Sequence, residues 1–434
     1  MADETRSNPG RPRVGSAEPD RKRRDLLLLA AGGTAVAAGA ATVSSLVTRS
    51  VIESQDAESS LEHSGVVPRG IVRDFADPLL EVVRLLNEAA EIEHDLMLQY
   101  IYAAYSLKPG YEDILGYGLP DSHSLLGVAI QEMQHLKAVN ELLVALGASP
   151  VLRRQDFPYE VDIYPFPFML EPLSRHSLAK YLYCEAPPGA FDDGSGTDPA
   201  YTADVIRALD GDPRPNHVGS LYAAVADLLI EMNESGESPL TDTAHWLEVI
   251  AHIREEGEED HYGFFRDLFL GRHRLLGNRK TVWDLSPDDD DYPVRSGIPF
   301  NPTAYSGHPN SLTDPDVRNL AWQGNLCYWA MLLLLDLAYR GQAGEAALVL
   351  SRQLMQGPLW SLAREMPKRG AGLPFDPLSM AFNLGDNRQA TLLYLRRLLD
   401  ESISHFDDHQ LLFPPDFDIS LIAEIAVLAG EDSV

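Results

Sequence analysis

The chain has 434 residues, of which 45% are hydrophobic and 23% charged, so it is long enough for two ordinary globular domains and is neither fibrous nor wholly disordered. A formal net charge of −30 would repel a phosphate backbone, and we therefore expect no nucleic-acid partner. Cys184 and Cys327 lie far apart in apolar segments, so neither a disulfide framework nor a zinc-binding spacing is predicted.

The N-terminal segment has the pattern of an export signal. A basic stretch, Arg21–Arg24, precedes a mildly apolar run over residues 26–47. The sequence Arg23–Leu27 (Arg-Arg-Asp-Leu-Leu) resembles a twin-arginine signal. We expect residues 1–70 to be a disordered segment with this signal and a linker. The protein is then exported, or anchored on the extracytoplasmic side of the membrane through residues 26–47, and a cytoplasmic location is the alternative.

The first long helix is predicted to begin at Asp77-Pro78, because proline in the first turn after a capping aspartate is a start signal, and to run to about Leu107. Its apolar residues recur at helical spacing and place Glu93 among them, at a position facing the core. The same periodicity places Glu91 and Asp95 on the outer faces of the helix.

The second long helix, Leu125–Leu146, contains a Glu-x-x-His motif formed by Glu132 and His135. Residues three apart in a helix lie on one face, and this face is otherwise apolar. An unpaired carboxylate and imidazole would be costly to bury there, whereas a bound metal ion would remove that cost. Glu-x-x-His motifs on core-facing helices hold iron or manganese in ferritin-like bundles.

The third long helix, predicted from about His217 to Asn233, has no carboxylate on its apolar face. Asp227 and Glu231 lie well away from that face. A ligand from this part of the chain is therefore absent, or is replaced by Glu185, Asp227 or Glu231.

The fourth long helix, predicted from about Thr241 to Leu270, contains a second Glu-x-x-His motif, Glu258 and His261. Gly257 lies beside it, and a glycine inside a helix is unfavourable unless a metal centre or a neighbouring helix must approach closely.

Together these residues predict an all-α fold with a ferritin-like four-helix bundle over residues 71–275. A loop over residues 276–312 and a second helical region over residues 313–434 would follow. The candidate ligands suit iron or manganese, which bind mixed carboxylate and imidazole sites, and haem is the less favoured cofactor. The predicted metal ligands are Glu93, Glu132, His135, Glu258 and His261.

Several further segments have a recognisable pattern: Glu91–His94 leading to Tyr100–Ser106, Glu132–Leu136 leading to Asn140–Gly147, Pro165–Leu173, Tyr181 with Glu185, Gly219–Tyr222, Gly257-Glu258 and Ala371–Phe375. Through these segments the chain resembles the ferritin-like domain of the iminophenyl-pyruvate dimer synthase family, over roughly residues 75 to 380.

The resemblance implies a ferritin-like fold and an oxidative, metal-dependent or haem-dependent reaction on a small molecule. Our main hypothesis is an exported metal-binding oxidoreductase that uses dioxygen or peroxide. The alternatives are an enzyme that couples aromatic imines oxidatively, as family members do, and an exported ferritin-like scaffold without catalytic activity. The sequence allows a homo-oligomer without specifying one.

Overall fold

The computed structural model describes residues 71–156, 163–188, 190–191, 199–209, 217–378 and 387–431. Within these ranges every regular element is a helix, and extended pairing is limited to two isolated bridges, Leu107 with Val294 and Thr303 with Ser311. The predicted all-α class is therefore confirmed.

A four-helix bundle forms the first half of the described chain. The bundle elements are α1 (Pro78–Tyr105), α3 (Leu125–Ala145), α6 (Val218–Ser235), α7 (Thr243–Glu255), the π-turn Glu256–His261 and α8 (Tyr262–Phe269). Helix α1 packs along both α3 and α6, and α6 packs against α7, which continues through the π-turn into α8.

Short polar side chains fix where the first two bundle helices begin. The Asp77 carboxylate accepts hydrogen bonds from the backbone N–H groups of Leu79 and Leu80, and the Ser124 hydroxyl accepts one from Gly127. These caps satisfy backbone donors that have no partner inside the helix. These caps therefore fix the first residue of each helix, and with it the positions of the candidate ligands further along the helix.

Shorter helices fill the connections between the bundle helices. Helix α4 begins at a reciprocal Ser174–Ser177 capping box, packs against α8 and ends with Glu185 as its C-cap residue. The bounds of the short helices are α2 (Glu112–Leu115), α4 (Arg175–Cys184) and α5 (Pro199–Leu209). The packing of α4 brings its C-terminal end to the side of the bundle.

The C-terminal half is also helical, as predicted. Helix α9 is buried along most of its length, packs against α10 and α12, and contacts α3 of the bundle. The described residues of both halves belong to one compact unit. The helices are α9 (Pro315–Tyr339), α10 (Gly344–Leu354), α11 (Trp360–Glu365), α12 (Arg388–His409) and α13 (Ile419–Glu431).

The expectation that Glu91 and Asp95 face outward is wrong. Both residues are buried, because residues 151–155 and helix α9 cover that side of α1. Glu91 pairs with Arg153, and Asp95 accepts a hydrogen bond from the backbone N–H of Gln155. The periodicity of α1 identified one apolar face, whereas a helix packed on both sides buries polar residues as well.

The predicted export signal and the anchor over residues 26–47 lie outside the described residues. Among the described helices, none combines the length and apolarity that crossing a bilayer requires.

Candidate metal centre

Two groups of potential metal ligands meet inside the bundle and share one residue. Among the described residues, Glu93, Glu132 and His135 form the first trio, and Glu132, Glu185 and His261 form the second. Within each trio the ligand atoms lie within 4.8 Å of one another, and all five side chains are buried. Four of the five predicted ligands therefore converge, with Glu185 added.

Glu132 presents one carboxylate oxygen to each trio. Its Oε2 lies 2.9 Å from Nδ1 of His135, and its Oε1 lies 3.0 Å from Nδ1 of His261. The terminal carboxylates complete the sets, with Glu93 Oε2 at 3.6 Å from His135 Nδ1 and Glu185 Oε2 at 3.6 Å from His261 Nδ1. Such an arrangement could hold two metal ions, with Glu132 offering one carboxylate oxygen to each.

The hydrogen bonding of these atoms fits a metal site better than a buried polar network. Glu93 Oε2, Glu132 Oε1 and His261 Nδ1 are buried and have no hydrogen-bond partner. The last two are 3.0 Å apart, but their geometry does not make a hydrogen bond. Buried polar atoms are nearly always satisfied, so three orphaned ligand atoms at one point indicate that a cation is the intended partner. Carboxylate and imidazole donors suit iron or manganese.

A tyrosine holds the outer oxygen of each terminal carboxylate. The Tyr222 hydroxyl donates to Glu93 Oε1, and the Tyr100 hydroxyl donates to Glu185 Oε1 at 2.6 Å. In each case the other carboxylate oxygen is the one that faces the histidine. The two halves of the centre are therefore built alike, with one oxygen of each terminal glutamate left for a metal ion.

We expect Tyr222→Phe to weaken metal binding about tenfold, because the outer oxygen of Glu93 loses its donor and the carboxylate loses its fixed orientation. Isothermal titration with Mn(II) would measure the change. Tyr102→Phe is the matched control, since it removes a buried hydroxyl that donates to the carbonyl of Pro299, away from the trios. Equal losses in the two variants would contradict a specific role for Tyr222.

The far nitrogens of both histidines are joined by a hydrogen-bonded chain. His135 Nε2 donates to Glu256 Oε2 at 2.9 Å, and the Gln131 amide donates to Glu256 Oε1 at 2.6 Å. The carbonyl oxygen of that amide lies 3.3 Å from Nε2 of His261. Such partners orient a ligating imidazole and fix which nitrogen carries the proton. On the opposite side of the two rings, Nδ1 of His135 is hydrogen-bonded to Glu132 Oε2 at 2.9 Å, and Nδ1 of His261 has no hydrogen-bond partner.

The π-turn Glu256–His261 places two of these residues on one side of the fourth bundle helix. In a π-helix, residues five apart are linked by the backbone hydrogen bond, so Glu256 and His261 both face α3. The sequence prediction assumed regular α-helix, in which Glu258 and His261 would lie together. Glu256 and Gln131 were missed for this reason, and the signal that could have found the turn is Gly257 among five charged or ionisable residues.

Glu185 adds to the second trio a carboxylate that the third bundle helix does not supply. An ideal Cβ on Gly257 would lie 3.0 Å from Glu185 Oε2, so the glycine makes room for this carboxylate beside the π-turn. Of the other two alternatives, Asp227 is exposed, and Glu231 is exposed and paired with Arg73.

The structure does not bring the carboxylate of Glu258 into either trio. Glu258 lines the same cavity, and its Oε1 accepts a hydrogen bond from Nη2 of Arg254 at 3.3 Å. An ideal Cβ on Gly219 would lie 2.3 Å from that oxygen, so the side chain occupies space that only a glycine leaves open. Glu258 is thus placed at the edge of the centre.

The charges of the centre depend strongly on one another. Burial is the larger cause and repulsion from Glu132 the smaller cause that raise the pKa of Glu93 to about 8. Burial opposes the charge of Glu132 as well, but His261 and His135 hold its pKa well below the usual range. Burial disfavours the His261 cation, yet Glu132 raises the pKa of His261 to about 10. In the absence of metal ions, bound protons therefore offset the negative charge of the carboxylates.

Comparison with known proteins is consistent with this geometry. The family described as Ferritin-like matches residues 86–248. Dichlorochromopyrrolate synthase of Lentzea aerocolonigenes is 27% identical over 59% of this chain and 30% of its own length. The 2-imino-3-(indol-3-yl)propanoate dimerase of Chromobacterium violaceum is 33% identical over 40% of this chain and 20% of its own length. No solved structure gives a significant match.

The chain thus spans less than a third of the length of either curated relative. The family match covers α3 entirely and most of α1, together with the segment that leads through Glu185 to α7. The π-turn lies beyond it. Residues 86–248 of the chain thus match the Ferritin-like family, and the chain resembles the iminophenyl-pyruvate dimer synthase family.

Proposed function

We propose that this protein is a dinuclear metal-dependent oxidoreductase that uses dioxygen or peroxide to oxidise a small aromatic molecule. The observation that carries the proposal is the pair of buried trios sharing Glu132. Iron is the preferred metal and manganese the alternative, as the donor atoms suggest.

The protein residues would bind, orient and shield the metal ions. Bound iron or manganese would supply the redox chemistry and a coordination position for the oxidant. Glu256 and Gln131 orient the two histidines, and Tyr100 and Tyr222 hold the terminal glutamates. The burial of the trios limits the access of water, which protects reactive species from side reactions.

The substrate class is proposed from the relatives. One is named for the dimerisation of 2-imino-3-(indol-3-yl)propanoate, an aromatic amino-acid imine. That name favours a second candidate function, the oxidative coupling of two such imines. Forming one carbon–carbon bond between them removes two electrons and two protons, and one molecule of hydrogen peroxide accepts these to become two molecules of water.

The test is oxidant consumption by the metal-loaded protein. The chain would be loaded anaerobically with Fe(II) or Mn(II) and mixed with hydrogen peroxide or dioxygen, indole-3-pyruvate and ammonium, which form the imine in solution. We expect consumption that requires both metal and substrate, with Glu132→Gln as the inactive control. A product with the mass of two imines less two hydrogens would support coupling, and consumption without it would reject coupling alone. Consumption independent of metal would reject the whole proposal.

A further inference from the structure

One arginine lies in the wall of the cavity that the candidate metal ligands line. The cavity has a volume of about 20 Å³ and is lined by the carboxylates of Glu93, Glu132, Glu185 and Glu258. Arg254 is the one lysine or arginine among the described residues that line it. A negatively charged molecule that approaches four carboxylates needs a cation at the entrance, and Arg254 is in the position to provide it.

The hydrogen-bonding capacity of Arg254 is largely unused. Its Nε is buried without a partner, and its Nη2 makes the single long contact with Glu258 Oε1. The side chain is 29% exposed, so part of the guanidinium also reaches solvent. A guanidinium presents a planar fork of donors that fits a carboxylate through two parallel bonds. The fork is present here, but only one of its arms is occupied.

The carboxylate of Glu258 is the acceptor of the one contact that Arg254 makes. It lies four residues after Arg254, and partly exposed pairs of this kind are weak. The absence of a Cβ on Gly219 gives the Glu258 carboxylate room at this point. Asp227, the other acidic group whose pKa Arg254 influences, is exposed and on the neighbouring helix α6.

We propose that Arg254 binds the carboxylate of an aromatic 2-imino or 2-oxo acid and releases Glu258 in exchange. The inference rests on the proposed function for the substrate class and adds the residue that recognises it. Arg254 orients the acid end of the substrate at the entrance of this cavity. The freed Glu258 carboxylate turns into the cavity that it already lines.

The test compares an acid with its uncharged analogue. Indole-3-propanoate and indole-3-propanamide would be titrated calorimetrically into the Mn(II)-loaded protein. We expect the wild-type protein to prefer the acid and Arg254→Gln to weaken acid binding about tenfold to a hundredfold without changing amide binding. Arg254→Lys, which keeps the charge but loses the fork, should be intermediate. Glu258→Gln should strengthen acid binding, because the competing carboxylate is gone.

Arg266→Gln is the matched control, since Arg266 is also partly buried with an unpartnered Nε but lies outside the cavity lining. Equal binding of acid and amide by the wild-type protein would overturn the proposal, as would an unchanged preference in Arg254→Gln. Metal content and oxidant consumption, measured on the same samples, test the proposed function separately. The binding data for Arg254→Gln therefore do not test the metal centre, which is tested by metal content and oxidant consumption.

Discussion

Replacing Glu132 with glutamine is expected to reduce the metal content from two ions per chain to nearly none. Glu132 is the one residue that belongs to both trios, with one oxygen directed to each histidine. Glutamine keeps the volume of the side chain but supplies a neutral amide, of which only the oxygen can bind metal. By contrast, Glu93→Gln and Glu185→Gln each alter one trio, so we expect each to lose about one ion.

Elemental analysis of protein purified without chelator would measure this series. Glu88→Gln is the matched control for Glu93→Gln, because Glu88 and Glu93 are both buried glutamates of helix α1. Glu88 accepts its hydrogen bond from Gln155, away from the trios. Equal losses in Glu132→Gln and Glu93→Gln would show that the two trios do not share a bridging ligand. Full metal content in Glu132→Gln would remove the basis of the dinuclear assignment.

Periodicity was sufficient to predict the part of the centre carried by α1 and α3. Both helices are regular across their candidate ligands, so counting at 100° per residue places Glu93, Glu132 and His135 on facing surfaces. The four predicted bundle helices begin and end within a few residues of the observed bounds for the same reason. Where the backbone keeps α-helical hydrogen bonds, the spacing of residues in the sequence predicts which face of the helix each side chain occupies.

The other half of the centre depends on features that periodicity does not contain. Glu185 is the C-cap of a short helix, and its position depends on how α4 packs against α8. Glu256 reaches His135 only because the backbone forms a π-turn. Neither feature follows from the spacing of apolar residues, because each is determined by tertiary contacts. The one local sign of both is Gly257, which leaves room for the Glu185 carboxylate.

The arrangement of charged groups in this centre is unfavourable without counter-charges. Three of its ligand atoms have no hydrogen-bond partner, and its carboxylates lie close enough to repel one another. Protein stability elsewhere in the bundle must therefore maintain an arrangement that is unfavourable without counter-charges. Protons and metal ions are the two available counter-charges, and they compete for the same atoms.

Removing the metal ions is therefore expected to destabilise the protein, and to do so more strongly as the pH rises. The pKa of His261 is raised from 6.5 to about 10 in the folded state, and that of Glu93 from 4.5 to about 8. Each folded-state pKa lies above the unfolded value, so the folded protein holds more protons and its stability falls with rising pH. The stabilising effect of the protons on Glu93 is lost between pH 4.5 and 8, and that on His261 between pH 6.5 and 10.

Metal ions should behave in the opposite way, because they bind after those protons leave. Free metal at a hundred times its Kd stabilises the folded state by about 2.7 kcal/mol per site. We expect differential scanning calorimetry to show a Tm difference of several degrees between Mn(II)-loaded and chelator-treated protein at pH 8.5. The difference should be smaller at pH 6, where protons compete, and should vanish in Glu132→Gln. A Tm that chelator leaves unchanged at both pH values would mean that hydrogen bonds alone stabilise the trios, and the metal assignment would then be withdrawn.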